Sequence, residues 1–226
     1  MSNKVSLRID NDLLRLLGFN LVALITTMGR DGSINAAPHA WVTVVDYDPP
    51  QLLFSVNIEH DTYRNILETK EFVVNIPTAD MIREIWITQK RFPYGINELE
   101  EANLKAFPSD RVKPPRIKEW KAHIECKVLW TKIIGSACLV LGSIEAISID
   151  RDLKGLDIKE RAIALRRLVF FSYQRERDRK KWMFCEMGKV HILTEKDGEA
   201  EIKTQMVLFR SSTPLQKNQA TDNFKG

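Results

Sequence analysis

Leu21-Val22-Ala23-Leu24-Ile25-Thr26-Thr27, then Gly29-Arg30-Asp31-Gly32, then Asn35-Ala36-Ala37-Pro38-His39-Ala40-Trp41 is the stretch that decides the fold. The apolar run from Leu21 to Thr27 reads as a buried strand. Glycines accept positive φ, so Gly29 to Gly32 reads as a hairpin turn. Ile34 to Val45 is then the return strand. Pro38 within it cannot donate to a ladder, so it must lie at a bulge or an edge. A bulge there aims nearby groups at something other than a neighbouring strand. Further on, Tyr47-Asp48-Pro49-Pro50 is a turn and Gln51 to Asn57 is the next strand. Asp61 or Thr62 caps a short helix holding Tyr63, Ile66 and Leu67. Glu71 to Pro77 is another buried strand. Apolar strands thus alternate with corners rich in hydroxyls and amides, which suits a barrel carrying a phosphate-bearing ligand.

Outward from this stretch, Asp10 to Leu17 reads as a short capped helix. Ala79 to Phe107 reads as mostly helical and charged, broken at Pro93 and Gly95, and Pro114-Pro115 marks a connection. His123 to Ile133 and Cys138 to Ile149 read as two long strands around Gly135-Ser136. Asp157 with Glu160 forms a capping-box pattern that opens a helix through about Phe171. Arg175 to Lys181 is a dense basic run of the kind found on solvated helix faces. Trp182 to Leu193 reads as a strand returning to the sheet. The expected architecture is mainly β with helical insertions: one barrel domain over 1–210, an insertion over 79–115, and a polar tail over 211–226.

Composition sets bounds. The chain has 226 residues, 44% hydrophobic and 28% charged, enough for a full core. Its net charge of +4, from 34 basic and 30 acidic residues, is too balanced to argue for nucleic acid and leaves room for an anionic ligand. Cys126, Cys138 and Cys185 are odd in number and widely spaced, against a disulfide framework or a structural zinc site. There is no apolar signal core at the N-terminus and no apolar run of membrane-spanning length, so a cytoplasmic protein is expected.

The corners carry the chemistry. Asn35, Ser55, Asn57, Thr62, Asn65 and Asn75 offer hydroxyls and amides, and Ala36-Ala37 offer backbone N–H groups with little steric cover. A helix starting near Thr62 directs free N–H groups and a positive dipole end outward, which makes an anion site. Arg64 adds positive charge, and His39, Trp41 and Phe54 are candidates to flank a planar ring. His60 reads as a surface loop residue, while His123 and His191 sit on strands in structural roles.

These residues, in this order, resemble the flavin reductase-like family of FMN-binding split β-barrels with Greek-key connections. The resemblance rests on Thr26-Thr27, Gly32, Asn35-Ala36-Ala37-Pro38, Asp48-Pro49-Pro50, Phe54-Ser55, Asp61-Thr62, Asn65-Ile66 and Phe72-Val73-Val74-Asn75. It implies a homodimer with FMN near the interface. Carried onto this chain, Asn35, Ala36, Ala37, Pro38, His39, Ala40, Trp41 and Val42 line the flavin. Ser55, Val56 and Asn57 contact ribityl or phosphate oxygens, and Asp61, Thr62 and Asn65 complete the phosphate end. The flavin carries the redox chemistry, so no catalytic dyad, nucleophile or metal is expected.

The implied donor is NADH or NADPH, with electrons passing to free flavin, ferric iron or a partner protein. Some members carry a histidine in the turn that here reads Gly135-Ser136-Ala137-Cys138, where none aligns. A flavoredoxin-like carrier without its own nicotinamide turnover, or a non-enzymatic barrel binding another phosphate ligand, therefore stay open as alternatives.

Overall fold

The computed structural model describes residues 20–176, 179–186, 189–196 and 199–206. The helix expected over 10–17 and the tail expected over 211–226 lie outside these residues. The chain parts into two compact units, Met1–Glu186 and Met187–Gly226, a boundary that the expected single domain over 1–210 runs across.

The first unit is built on an antiparallel sheet of seven strands. They are β2 (Ala23–Met28), β3 (Ile34–His39), β4 (Val42–Tyr47), β5 (Pro50–Asn57), β6 (Glu71–Ile76), β9 (Ala122–Ile134) and β10 (Ala137–Ile149). Their order is β3-β2-β6-β9-β10-β5-β4. The Gly29–Gly32 turn forms as expected. Gly32 takes φ 86°, and the Gly29 N–H donates to Ser33 O at 2.9 Å.

The expected return strand Ile34–Val45 is two strands. It breaks at Ala40-Trp41, and its halves lie on opposite edges of the sheet. The chain steps from one edge to the other in those two residues, so the edges come together and the sheet rolls into a barrel. The Ser55 N–H donates to Trp41 O at 3.1 Å across this corner. Pro38 sits on an edge strand paired only with β2, where its missing N–H breaks no ladder.

Every residue of β2 except its last is buried, because both faces are covered. Ala23 and Ile25 pack with Phe54, Phe72, Val74 and Val140 in one cluster. Val22 and Leu24 pack with Ala36, Ile85, Leu99, Ile117 and Trp120 in another. This explains an unbroken apolar run instead of the alternation of a half-buried strand.

The second cluster is the underside of the insertion. That segment is less helical than its charge pattern suggested. It holds a 3-10 turn at Ala79–Met81, α2 (Ile82–Thr88), α3 (Glu98–Glu101), and the two-residue strands β7 (Ala106–Phe107) and β8 (Arg116–Ile117). Residues 89–97 stay irregular around Pro93 and Gly95, which takes φ 90°. Asn75, at 0% exposure, ties the insertion to the barrel. Its amide nitrogen donates to Leu24 O and Thr26 Oγ1, and its Oδ1 accepts the Ile117 N–H at 3.0 Å. Its role is structural, not ligand-facing.

The long hairpin of β9 and β10 matches expectation, with Gly142 facing Val128 at a register shift. A Cβ at Gly142 would stand 2.7 Å from the Phe72 ring and 3.2 Å from Lys127 O. The Phe72 ring is fully buried and has no room to retreat. Gly142→Ala is therefore expected to destabilise the barrel by about 1–3 kcal/mol through overpacking. An unstrained Gly→Ala change shifts stability by about 0.4–1 kcal/mol the other way, so the sign of the change in urea midpoint checks the packing.

The capping box of α4 (Ile158–Ala164) is present, with the Glu160 N–H donating to Asp157 Oδ1 at 2.7 Å. The helix ends well before Phe171, because Leu168-Val169-Phe170 begin β11 (Leu168–Glu176). That strand pairs with β1 (Asn20–Leu21) and β12 (Arg179–Glu186) in a separate three-stranded sheet. The strand expected over Trp182–Leu193 therefore does not rejoin the barrel. The described part of the basic run lies on β11 and β12, not on a helix. The second unit is described by one hairpin, β13 (Lys189–Lys196) with β14 (Glu199–Met206).

Candidate functional site

The helix α1 (Asp61–Thr69) follows β5 and buries Thr62, Asn65 and Ile66, one face at i, i+3 and i+4 spacing. Its N-cap is His60, with φ −90° and ψ 148°, and no side chain caps the helix. Neither Asp61 nor Thr62 acts as the expected cap. The N–H groups of Tyr63 and Arg64 both turn back to His60 O. Those of Asp61 and Thr62, the first two helical residues, have no intrahelical acceptor by position.

Thr62 is fully buried because Asn35 claims it. Asn35 Nδ2 donates to Thr62 Oγ1 at 3.0 Å and to Thr27 Oγ1 at 3.3 Å. Asn65 Nδ2 donates to the same Thr27 oxygen at 3.1 Å, and Asn65 Oδ1 is buried with no hydrogen-bond partner among the described residues. This network locks α1 onto β2 and β3, so the open helix end is held in place.

That end faces a cavity of about 430 Å³, inside the roughly 300–1,000 Å³ range of ligand sites. One wall is β3, through Asn35, Ala37 and Pro38. The floor is Glu59 to Thr62. The far wall is the insertion, through Thr88 to Phe92, Tyr94 and Glu98. From sequence the 79–115 insertion is expected only as a cover for the flavin or an extension of a dimer contact, with none of its residues nor Glu59 named, although Lys90-Arg91-Phe92-Pro93-Tyr94 carries a readable signal: two cations among aromatics in a proline loop.

Two contacts pin this loop. The Arg64 guanidinium lies 3.8 Å from the centre of the Tyr94 ring, and Tyr94 is hydrogen-bonded to Ser33 Oγ at 3.2 Å. Charge in the cavity is mixed. Arg91 reaches Glu59 at 3.9 Å, and Lys90 Nζ lies 4.0 Å over the Trp86 ring. Glu98 is buried and accepts the Ala36 N–H at 2.9 Å, so that backbone donor is already used. Burial is the main cause that holds the Glu98 carboxyl above its usual range. Burial, then the charge of Arg91, lowers His60.

The other expected site residues are dispersed. His39 and Ala40 line a smaller cavity beside the cleft. Trp41 is 68% exposed and stacks on nothing in the cavity. Val42 packs against the barrel core, and Val56 and Phe54 are part of it. Ser55 O is bonded to His39, and Asn57 Oδ1 accepts the Glu59 N–H at 2.8 Å. The cavity thus gathers Asn35, Ala37, Pro38, Asp61 and Thr62, with Asn65 behind them.

His39 is fixed in one tautomer. Ser55 O only accepts, so Nδ1, 3.2 Å away, carries the hydrogen. The ring meets Phe54 edge-on, with centroids 5.4 Å apart. Burial lowers its pKa to about 4, and it is neutral in the folded protein. The unfolded chain, near 6.5, takes up the proton first as pH falls. Stability is therefore full above about 6.5 and drains as pH drops toward 4, by about 2 kcal/mol at pH 5. His39→Phe loses the Ser55 bond and is weaker at neutral pH. Its urea midpoint is nonetheless expected to fall less between pH 8 and pH 5 than that of the parent. His60 and His123, also lowered by burial, leave a remaining slope.

Comparison with known proteins gives the family of this chain. A family model described as flavin reductase like domain matches residues 20–174. The chain belongs to this family. An uncharacterized protein of Aquifex aeolicus (strain VF5) is 40% identical over 129 residues, spanning 53% of this chain and 66% of that protein, just under two thirds of its length. Nitrilotriacetate monooxygenase component B from Bacillus cereus superposes with a TM-score of 0.71 at 24% identity, over 82% of this chain and 98% of that one. Flavoredoxin of Desulfovibrio vulgaris (Miyazaki F) gives 0.68 at 20% identity, over 88% and 100%. These likenesses show the flavin reductase-like split-barrel fold expected from the sequence.

The cavity fits the group the family implies. A ligand phosphate suits the uncapped end of α1, and the small residues Ala37 and Pro38 leave the strand wall open to a flat ring.

Proposed function

We propose that this flavin reductase-like protein binds FMN in the α1–β3 cleft and works as an oxidoreductase fed by NADH or NADPH. The observation that carries this reading is the uncapped, rigidly held N-terminus of α1 opening into a cavity of ligand size. The N–H groups of Asp61 and Thr62 hold the phosphate, with Arg91 and Lys90 beside it. Asn35, Ala37 and Pro38 line the flavin, and the Lys90–Tyr94 loop excludes water from it. Bound flavin supplies the electron chemistry. One anion site at one helix end favours a monophosphate, hence FMN over FAD.

The test is optical. Protein made in flavin-replete cells should be yellow, and anaerobic mixing with NADH or NADPH should bleach it. A colourless protein that takes up no added FMN contradicts the reading. A second reading, a flavoredoxin-like carrier, is favoured by the absence of histidine in the Gly135–Cys138 turn. It predicts bound FMN that neither nicotinamide bleaches.

A homodimer belongs to the same proposal. The edge strand β4 is exposed along almost its whole length, with Val44 42%, Val45 48% and Tyr47 87% exposed. Leu129, Trp130, Ile133 and Ile134 on β9 are also about half exposed. Apolar surface on this scale, at a sheet edge that no described strand pairs, calls for a covering partner. Trp130→Glu is expected to shift the protein from dimer to monomer in light scattering, and a wild-type monomer would exclude the dimer.

A further inference from the structure

A phosphate at the end of α1 shares its cavity with a buried carboxyl. Glu98 is 6% exposed and lines the cavity together with Asp61 and Thr62. Strand β3 fixes its place. The Ala36 N–H donates to Glu98 Oε2 at 2.9 Å, and the neighbouring Asn35 donates to Thr62 Oγ1 at 3.0 Å. Glu98 and the start of α1 are therefore tied to adjacent residues of one strand, whose Cα atoms stand about 3.8 Å apart.

Glu98 forms no ion pair among the described residues, and its Oε1 is bonded to no other described residue. The cations lining the cavity are turned elsewhere, Arg91 toward Glu59 and Lys90 over the Trp86 ring. The other titratable groups around Glu98 are His60 and Asp61 on the floor, Tyr94 in the loop, and Glu100 and Glu101 on its own helix. On α2, which packs against α3, Arg83 and Glu84 do not line the cavity. An unpaired carboxylate repels a phosphate, whereas a carboxylic acid donates a hydrogen bond to it. Burial chiefly, with the Asp61 charge adding, already holds the Glu98 carboxyl above its usual range, against the pull of the Ala36 bond. A phosphate beside it acts in the same upward direction.

We infer that Glu98 receives the ligand phosphate as the neutral acid: Oε2 keeps the Ala36 N–H, a protonated Oε1 donates to a phosphate oxygen, and docking takes up one proton from solvent. This rests on the proposed phosphate site at α1 and not on the flavin attached to that phosphate. The sign follows from linkage. The complex holds one proton more than the free protein between the two pKa values of Glu98, the free one being the lower. Affinity therefore falls as pH rises through that window, by up to about tenfold per pH unit.

Glu98→Gln makes the neutral form permanent, since its amide oxygen accepts the Ala36 N–H and its NH2 group donates to the ligand. FMN and inorganic phosphate are each titrated calorimetrically into both full-length proteins at pH 6 and pH 8, in buffers of different ionisation heat. At pH 8 the parent is expected to take up roughly one proton more per FMN than Glu98→Gln, which binds about tenfold more tightly than the parent. At pH 6 the two affinities close to within about twofold. His60, Asp61 and the phosphate itself titrate in both proteins, so the difference isolates Glu98. A purely structural Glu98 gives a variant that is equal or weaker at both pH values. Equal proton uptake in the two proteins, or an affinity ratio that does not change with pH, overturns the inference. So does a parent that takes up no proton at pH 8, a result that needs no variant. If FMN fails to bind while inorganic phosphate shows the coupling, the flavin reading falls and the proton-coupled site stands. If neither binds, both fall.

Discussion

Glu125→Leu is expected to cost about 2–5 kcal/mol, the largest stability loss of any substitution considered, because it leaves two backbone N–H groups without their buried acceptor. Glu125 is 1% exposed on β9. Its carboxylate accepts the N–H groups of Asp110 and Arg111, at 2.6 Å for the shorter bond, and lies 3.7 Å from Arg116 Nε. The Arg116 side chain is itself only 10% exposed and donates to Pro108 O and Asp110. Leucine fills similar space but leaves those two N–H groups without an acceptor, while Arg116 keeps Pro108 O and the Asp110 carboxylate. Against a usual total of about 5–15 kcal/mol, such a loss is visible as a large fall in urea midpoint. An unchanged midpoint would mean that the 108–116 segment contributes little to the folded state.

Asp61→Pro is expected to weaken FMN binding about 10–100-fold relative to Asp61→Ala while leaving the fold at least as stable. Position 61 is the first residue of α1, where proline is favoured because its missing N–H has no helical acceptor. His60 already has the extended backbone that a following proline requires. Both variants remove the carboxylate, and only proline removes the N–H. The difference between them therefore isolates one donor to a charged acceptor, worth about 1.5–3 kcal/mol. Equal affinities in the two variants would place the phosphate elsewhere.

Several elements were legible because their signals are local. The apolar run of β2, the Gly29–Gly32 turn, the β9–β10 hairpin and the Asp157–Glu160 capping box each depend on neighbours within a few residues. The misreadings share one cause, a distant partner. Ile34–Val45 looks like one strand until the rolled sheet hands its halves to β2 and β5. Asp61-Thr62 looks like a cap until Asn35, 27 residues earlier than Thr62, draws that hydroxyl inward. The cleft's outer wall was hidden for the same reason. Lys90 to Tyr94 carry suitable side chains, yet only the contacts of Tyr94 with Arg64 and Ser33 bring them across from α1.

FMN and riboflavin differ by the phosphate alone, so equilibrium titration of the same protein with both isolates what the open end of α1 holds. FMN is expected to bind at least 100-fold more tightly, with the gap narrowing as salt rises. Equal affinity for the two, or binding of neither, would remove the phosphate from that helix end.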